Sequence, residues 1–168
     1  PANPIGIGWA GPTILYAGTE EQKERYLLRL LSGEDFWCQL FSEPGSGSDL
    51  ANLGTRAVRD GDEYVINGQK MYTSTAHSST HLYLMARTDP DSKRNAGISI
   101  FLIPMDTPGI TVRPITNIDM ADEFCETFFD NVRVPKDNIV GQIDKGWTMA
   151  KALLGFERIG SGSPRQAS

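Results

Sequence analysis

Two dipeptides that favour tight β-hairpins constrain the fold more than any other feature of the sequence. Asp60-Gly61 follows the strand-like run RAVR at residues 56–59, and Asn67-Gly68 separates two further runs, YVI and QKMY. Asp-Gly and Asn-Gly readily adopt the positive φ angles that two-residue hairpin turns require. The sequence therefore predicts an antiparallel hairpin at each dipeptide.

Further strand-like segments continue this pattern over much of the chain. One begins near Phe36, and others cover residues 81–87, 98–103, 110–113 and 123–134, with Gly-, Pro- and Asp-rich separators between them. Roughly seven short strands within about 100 residues are typical of a β-sandwich or a β-barrel. We therefore expect a mainly β fold of one of these two kinds.

Helical signals stand on both sides of the predicted β region. Thr19 and Gln22 have the spacing of a capping box, and Gly33 suits the end of the helix that they would begin. A shorter helix ending at Gly18 is predicted over residues 8–17, and another over residues 147–159. The expected order is two short helices, a β domain and a further helix.

The composition of the chain argues against several classes of protein. In 168 residues, a hydrophobic content of 39% supports a packed core, and a net charge of −5 without a basic stripe argues against nucleic-acid binding. No apolar run reaches the roughly 18 residues of a membrane span, and no secretory signal opens the chain. We expect a soluble protein in a reducing compartment, and we expect the chain to be a piece of a longer protein.

The two cysteines and two histidines lack the spacing of a metal site. Cys38 and Cys125 lie in separate strand-like runs, where we expect buried free thiols. His77 and His81 stand on or beside a predicted strand, and we interpret both as structural or solvent-facing residues. The sequence therefore predicts no metal.

The segment SEPGSGSD at residues 42–49 allows two interpretations. Glycine and serine are typical of flexible linkers. The same residues can cradle an anionic ligand, because glycine lets the backbone approach closely while amides and hydroxyls supply donors. Asp49 could also cap the loop through nearby backbone amides. Taken alone, the segment leaves the linker and the cradle both open.

Six short stretches, taken together and in this order, resemble the acyl-CoA dehydrogenase family. They are LFSEPGSGSD at residues 40–49, NGQKMYTS at 67–74, LMARTD at 84–89, DTPGI at 106–110, FDNVRVP at 129–135 and FER at 156–158. The resemblance implies an N-terminal helical domain, a middle β domain and a C-terminal four-helix domain, with FAD in a cleft between the last two. It also identifies the segment at residues 42–49 as a flavin-binding loop.

The resemblance assigns a place to each part of the chain. Residues 1–35 are expected to end the N-terminal helical domain, residues 36–140 to form the middle β domain, and residues 141–168 to start a truncated C-terminal domain. The expected fold class is mainly β with flanking helices: a middle β-barrel or sandwich domain plus the ends of two α-helical domains.

The resemblance also implies which residues contact the cofactor. Gln39, Phe41 and Ser42 are expected beside the flavin ring, although the family more often has an aromatic residue in place of Gln39 and Thr in place of Ser42. Gly47 and Ser48 match positions near the pyrophosphate, and Ser48 also matches a position near the acyl-CoA.

Two residues at the end of the NGQKMYTS stretch complete the implied flavin site. Tyr72 matches a position, usually Trp, that packs on the flavin face, and a tyrosine ring retains a flat surface for stacking. Ser74 matches a Thr whose hydroxyl approaches flavin N5. The alternative for Tyr72 is an ordinary aromatic residue of a strand in the core.

The implied reaction removes a proton from Cα and a hydride from Cβ of an acyl-CoA thioester and gives the 2-enoyl-CoA. Glu157 is the candidate base by position, and its alternative is a helix-surface carboxylate that pairs locally. Arg158 matches a residue that shapes the acyl-CoA cleft, and its alternative is a salt bridge within the helical domain. The isolated chain is expected to be inactive.

Two other functions remain open from the sequence. One is an acyl-CoA oxidase or related flavin monooxygenase, and the other is a non-catalytic β-sandwich binding module. For the dehydrogenase, the expected partners are an acyl-CoA substrate, an electron-transferring flavoprotein or similar acceptor, and further copies in a homodimer or homotetramer. The expected location is the cytoplasm, or the mitochondrial matrix in a eukaryote.

Overall fold

The structure, a computed structural model, describes residues 3–118 and 120–152. Helical segments lie at both ends of this part of the chain. A π-helical turn, Gly6–Ala10, leads directly into α1, Gly11–Ala17. Helix α2 spans Glu20–Ser32, and residues 146–152 are helical again after the β region. No helix among these described residues is long and apolar enough to cross a membrane.

The first two predicted helices are confirmed, and their ends have the expected capping. Thr19 Oγ1 accepts a hydrogen bond from the Gln22 amide at 3.2 Å, and Gln22 Oε1 accepts one from the Thr19 amide at 3.1 Å. Gly33 ends α2 in the left-handed conformation, with a φ of 78°. The first helix ends before Gly18 as predicted but begins earlier, at the π-helical turn.

Eight strands form one sheet, so the prediction of a mainly β fold is confirmed. They are β1 (Trp37–Leu40), β2 (Arg56–Asp60), β3 (Glu63–Ser74), β4 (His81–Arg87), β5 (Ile98–Pro104), β6 (Ile110–Ile115), β7 (Phe124–Pro135) and β8 (Ile139–Val140). The sheet order is β6-β7-β3-β2-β4-β5-β8, and β1 pairs in parallel with β4.

The sheet curves around an apolar interior. Ile66 of β3, Leu84 of β4, Phe101 of β5 and Val132 of β7 are fully buried in one cluster. Because β5 and β7 are separated by three other strands in the sheet order, side chains from both can share one cluster only if the sheet bends round on itself. The architecture is therefore barrel-like, and it also buries both free thiols, Cys38 and Cys125.

The helices pack on the outer face of the same sheet. Ile14 of α1 and Leu30 of α2 lie in a second cluster with Trp37, Met85 and Ile100. Strand β4 is consequently buried on both faces, since Leu84 points inward while Met85 points toward the helices. This packing places the helical turn that contains Trp9 beside the end of β1.

One of the two predicted hairpins is present. Asp60 pairs with Glu63 at the turn between β2 and β3, and Gly61 has a φ of 63°. The hairpin at Asn67-Gly68 was predicted wrongly, because β3 continues through this dipeptide as far as Ser74.

Tertiary contacts explain why the chain does not turn at Asn67-Gly68. Asn67 Oδ1 accepts a hydrogen bond from the Asn131 amide at 2.9 Å, which joins β3 to β7. The pairing of these strands shifts register between Ile66 and Gly68, and a Cβ atom on Gly68 would lie only 2.4 Å from Thr55 Oγ1. Glycine is needed here for a close approach of the loop before β2, and not for a turn.

We predict that Gly68→Ala destabilises the protein by about 1–3 kcal/mol, because the added methyl group would force Thr55 and its backbone away from β3. Chemical denaturation of the variant and the parent measures this difference. Gly8→Ala is the matched control, since a Cβ there meets nothing within 4 Å and alanine favours a helical turn. Equal stability of the Gly68 variant and the parent would contradict the prediction.

Candidate active site

Two segments that are far apart in the sequence meet at one small cleft. The chain leaves β1 through Phe41 and Ser42, and the Met71 amide near the end of β3 donates a hydrogen bond to the Ser42 carbonyl at 2.8 Å. The cleft has a volume of about 160 Å³ and is lined by Ile5, Trp9, Gln39, Phe41, Ser42, Met71, Tyr72 and Ser74.

The structure thus brings five of the predicted site residues together: Gln39, Phe41, Ser42, Tyr72 and Ser74. The cleft lining also includes Ile5, Trp9 and Met71, which were not predicted from the sequence. Trp9 lies in the π-helical turn, and its position beside the cleft follows from helix packing against the sheet. Of these three, only the large aromatic side chain of Trp9 was a signal, and it did not indicate where that residue would pack.

An irregular backbone presents Tyr72 at the edge of the cleft. The pairing of β3 with β7 shifts register between Lys70 and Thr73, and Tyr72 has a φ of 57°. Its side chain is 61% exposed, so the alternative that Tyr72 is a core aromatic is wrong. A non-glycine residue in this conformation costs about 1–3 kcal/mol and is found preferentially at functional sites.

Several polar groups of the cleft have no hydrogen-bond partner among the described residues. The hydroxyls of Ser42 and Ser74 and the Ser42 amide make no hydrogen bond to residues 3–118 or 120–152. Gln39 Oε1 is buried and equally without a partner in that part of the chain. Together with the aromatic rings of Trp9 and Tyr72, these groups fit a flat heteroaromatic ligand with polar edges, such as a flavin ring.

The loop at residues 42–49 is an ordered bend. The backbones of Glu43 and Ser46 exchange two hydrogen bonds, of 2.9 and 3.1 Å, and Ser46 Oγ donates to the Asp49 carbonyl at 2.7 Å. These bonds favour the cradle over the flexible linker. The Asp49 side chain makes no capping bond, so its predicted alternative role as a cap is wrong.

The structure does not place Gly47 and Ser48 in the cleft. Both are exposed, and neither is among the lining residues. Glu157 and Arg158 lie outside the described residues. His77 is exposed, with its ring nitrogen 3.4 Å from Cys125 Sγ, whereas the His81 ring stacks on Trp37 at 4.9 Å between centroids.

A buried ion pair, which we call the Lys70 clamp, holds the backbone of one lining residue of the cleft from the interior of the sheet. The clamp consists of Lys70, Glu43 and the Phe41 carbonyl. Lys70 Nζ donates to the Phe41 carbonyl at 3.0 Å and to Glu43 Oε1 at 2.8 Å, and the Lys70 side chain is 0% exposed. Glu43 also accepts hydrogen bonds from the amides of Gly54, at 2.6 Å, and Thr55, at 3.0 Å.

Burial and pairing act on the pKa values of the clamp in opposite directions. Burial lowers the pKa of Lys70 to about 8, although Glu43 opposes this change. Burial alone would raise the pKa of Glu43, but the Lys70 ammonium and the donors from Thr55 and Gly54 outweigh it and hold that pKa below its ordinary value. We missed the clamp in the sequence, although a lysine at an inward position of an apolar strand was a usable signal.

A larger cavity lies elsewhere on the molecule, between α2 and the connection from β7 to β8. It has a volume of about 610 Å³, and its lining includes Gln22, Tyr26, Tyr64 and Ile139. None of the predicted site residues in the described part of the chain lines it. We assign the site to the smaller cleft, because polar groups without partners and aromatic rings converge there. Among the described residues, no group of three or more His, Cys, Asp and Glu side chains could hold a metal.

Comparison with known proteins identifies the family. The family model described as "Acyl-CoA dehydrogenase, middle domain" matches residues 38–132, and the chain belongs to the acyl-CoA dehydrogenase family. A curated relative, acyl-CoA dehydrogenase IpdE1 of Mycobacterium tuberculosis, is 47% identical over 156 residues, which cover 93% of this chain and 40% of the relative. The chain therefore spans about two fifths of the length of that relative.

Solved structures share the fold at similar levels of identity. A structure described as "Tcur3481-Tcur3483 steroid ACAD" has a TM-score of 0.89 and 43% identity, covering 93% of this chain and 40% of that one. The prolyl acyl carrier protein oxidase AnaB has a TM-score of 0.86 and 33% identity, covering 91% of this chain and 41% of that one. The expected resemblance is thus confirmed for both sequence and fold.

We predict that Glu43→Gln destabilises the complete protein by about 2–3 kcal/mol at neutral pH, since it removes a buried charge-assisted bond to Lys70. Folding lowers the pKa of Glu43 from its ordinary value of 4.5, so the ionised carboxylate stabilises the folded state above that pH. This stabilisation is lost as the pH falls through the lowered pKa, and the difference between parent and variant should shrink. Unfolding midpoints measured from pH 7 to pH 3 test this.

The control for this prediction is Asp62→Asn, which removes an ion pair with Lys136 at the surface. The Asp62 side chain is 83% exposed, so its replacement should cost little at any pH. A stability difference for Glu43→Gln that stays constant down to pH 3 would contradict the role assigned to the carboxylate.

Proposed function

We propose that this chain is the central part of an FAD-dependent acyl-CoA dehydrogenase, which converts an acyl-CoA thioester to the 2-enoyl-CoA. One observation carries the proposal: the exit of β1 and the end of β3 converge on one cleft, lined by Tyr72 and by the hydroxyls of Ser42 and Ser74, which have no partner in the described residues. Membership of the acyl-CoA dehydrogenase family supports it.

The residues of the cleft divide the work of holding the cofactor. Tyr72 and Phe41 offer aromatic surface to the flavin ring, while Ser42, Ser74 and Gln39 offer polar groups to its edges. The exposed Gly47 and Ser48 supply an accessible backbone and a hydroxyl donor for the pyrophosphate, and Ser48 also serves the acyl-CoA. Bound FAD would accept the hydride that leaves Cβ of the substrate.

A carboxylate must remove the Cα proton, and we propose Glu157 for this role on the basis of the family resemblance. A desolvated cleft raises the pKa of such a carboxylate and makes it a better base. Arg158 is proposed to shape the acyl-CoA cleft. In the complete enzyme, Glu157→Gln that leaves turnover unchanged would remove Glu157 as the base.

The family architecture leads to a proposal for domains and assembly. Residues 1–35 end the N-terminal helical domain, residues 36–140 form the middle domain, and residues 141–168 begin the C-terminal domain. The complete protein is proposed to be a homodimer or homotetramer in the cytoplasm, which passes electrons to an electron-transferring flavoprotein. The steroid description of a similar structure suggests a steroid-derived acyl group as the first substrate to test.

A second candidate is an oxidase that passes electrons from the reduced flavin to oxygen. It is supported by the similarity to the prolyl acyl carrier protein oxidase. The complete protein should be reconstituted with FAD and supplied with straight-chain and steroid-derived acyl-CoA thioesters. Reduction of an electron acceptor without peroxide identifies a dehydrogenase, and peroxide formation identifies an oxidase. A protein that binds no FAD and consumes no thioester would overturn both proposals.

We predict that Tyr72→Ala weakens FAD binding to the complete protein roughly tenfold, because it removes ring stacking worth about 1.4 kcal/mol. Titration of the apoprotein with FAD, followed by flavin fluorescence, measures the change. Tyr16→Ala is the control, since Tyr16 is 82% exposed on α1 and does not line the cleft. Equal FAD affinity of the Tyr72 variant and the parent would show that the ring lies away from the cofactor.

A further inference from the structure

The Lys70 ammonium binds a backbone carbonyl of the cleft as well as the Glu43 side chain. Lys70 Nζ binds the carbonyl of Phe41, a residue that lines the cleft, and the ammonium itself is fully buried. Glu43 anchors the ammonium and is itself held by the amides of Gly54 and Thr55. The clamp therefore ties the segment after β1 both to β3 and to the loop before β2.

Stability alone does not account for a buried charge pair at this position. Removing two charges from water is costly, and well-packed apolar residues usually hold a core together as well or better. An apolar pair, however, cannot fix the direction of a backbone carbonyl. The feature that only the charged pair provides is the orientation of the peptide group between Phe41 and Ser42.

The geometry of that peptide group links the clamp to the cleft. A trans peptide is planar, so its carbonyl and its amide point in opposite directions, and the described residues contain no cis peptide bond. When the Phe41 carbonyl is held inward by Lys70, the Ser42 amide of the same peptide must point the other way. Ser42 lines the cleft, and its amide has no hydrogen-bond partner among residues 3–118 and 120–152.

We propose that Lys70 is a positioning residue for the cofactor: by holding the Phe41 carbonyl inward, it directs the Ser42 amide into the cleft as a hydrogen-bond donor to the flavin edge. The proposal rests on the proposed function, because it requires a flavin in this cleft. Lys70 itself does not touch the ligand and acts only through the peptide group.

The test compares three variants of the complete protein. Lys70→Met removes the donor to the Phe41 carbonyl, and Lys70→Met/Glu43→Leu replaces the whole charge pair with apolar residues, which is often neutral for stability. Arg29→Met is the matched control, because it also removes one partner of an ion pair. Arg29 lies 2.9 Å from the buried carboxylate of Asp35, and neither residue lines the cleft. For each variant, the unfolding midpoint, the FAD dissociation constant, the visible flavin spectrum and the flavin reduction potential are measured.

If Lys70 positions the Ser42 amide, both Lys70 variants bind FAD about tenfold more weakly, with an altered flavin spectrum and potential, even where the double variant regains the parent's stability. Arg29→Met lowers stability but leaves affinity and spectrum unchanged. A stable double variant that binds FAD with the parent's affinity and spectrum would overturn the proposal and leave the proposed function intact. A parent protein that binds no FAD would overturn both.

Discussion

The cleft depends on a long strand that does not remain regular. Strand β3 has 12 residues, and its pairing with β7 changes register twice, at Gly68 and again between Lys70 and Thr73. Lys70 keeps the inward alternation of Tyr64 and Ile66, and after the second register shift Thr73 is buried while Tyr72 is exposed at the surface. A regular strand would keep to a strict alternation of faces and could not serve the core and the cleft in this way.

The rest of the molecule supports this irregular strand. Strand β4 is buried on both faces and anchors β1, from which the chain leaves toward Ser42. The helices cover the outer face and bring Trp9 into the lining of the cleft. Local strain at Tyr72 is tolerated because a large packed sheet holds the residues on either side.

Local signals in the sequence predicted most of the fold. The capping box of α2, the stop at Gly33 and the Asp60-Gly61 hairpin depend on neighbouring residues, and all three are present. The hairpin expected at Asn67-Gly68 failed because the partner of Asn67 is Asn131, which is 64 residues away. A local signal cannot report such a contact, since the same dipeptide serves a turn in one place and a close approach in another.

The candidate site could be predicted only in part, and mostly through the family resemblance. Periodicity gave no reason to bring Ser42 and Tyr72 together, because their proximity is created by the curvature of the sheet and the bulge in β3. Lys70 was missed although it continues the inward alternation of Tyr64 and Ile66, because lysine is almost never fully buried unless it is paired, and its partner Glu43 lies 27 residues away. Sequence patterns are therefore least informative at the irregular end of β3, where the function is proposed.

The described chain keeps several features that cost stability at one place. Tyr72 has a strained backbone and an exposed ring, Gln39 buries an acceptor without a partner in the described residues, and Lys70 carries a charge in the core. An ordinary apolar or small residue at each position would remove the cost in stability. At unrelated places in a protein, such features would need no common explanation. A ligand explains why they converge on a single cleft. A bound planar group with polar edges would stack on the exposed Tyr72 ring and bond to the Gln39 side chain, and the Lys70 charge would orient the peptide group that contacts it.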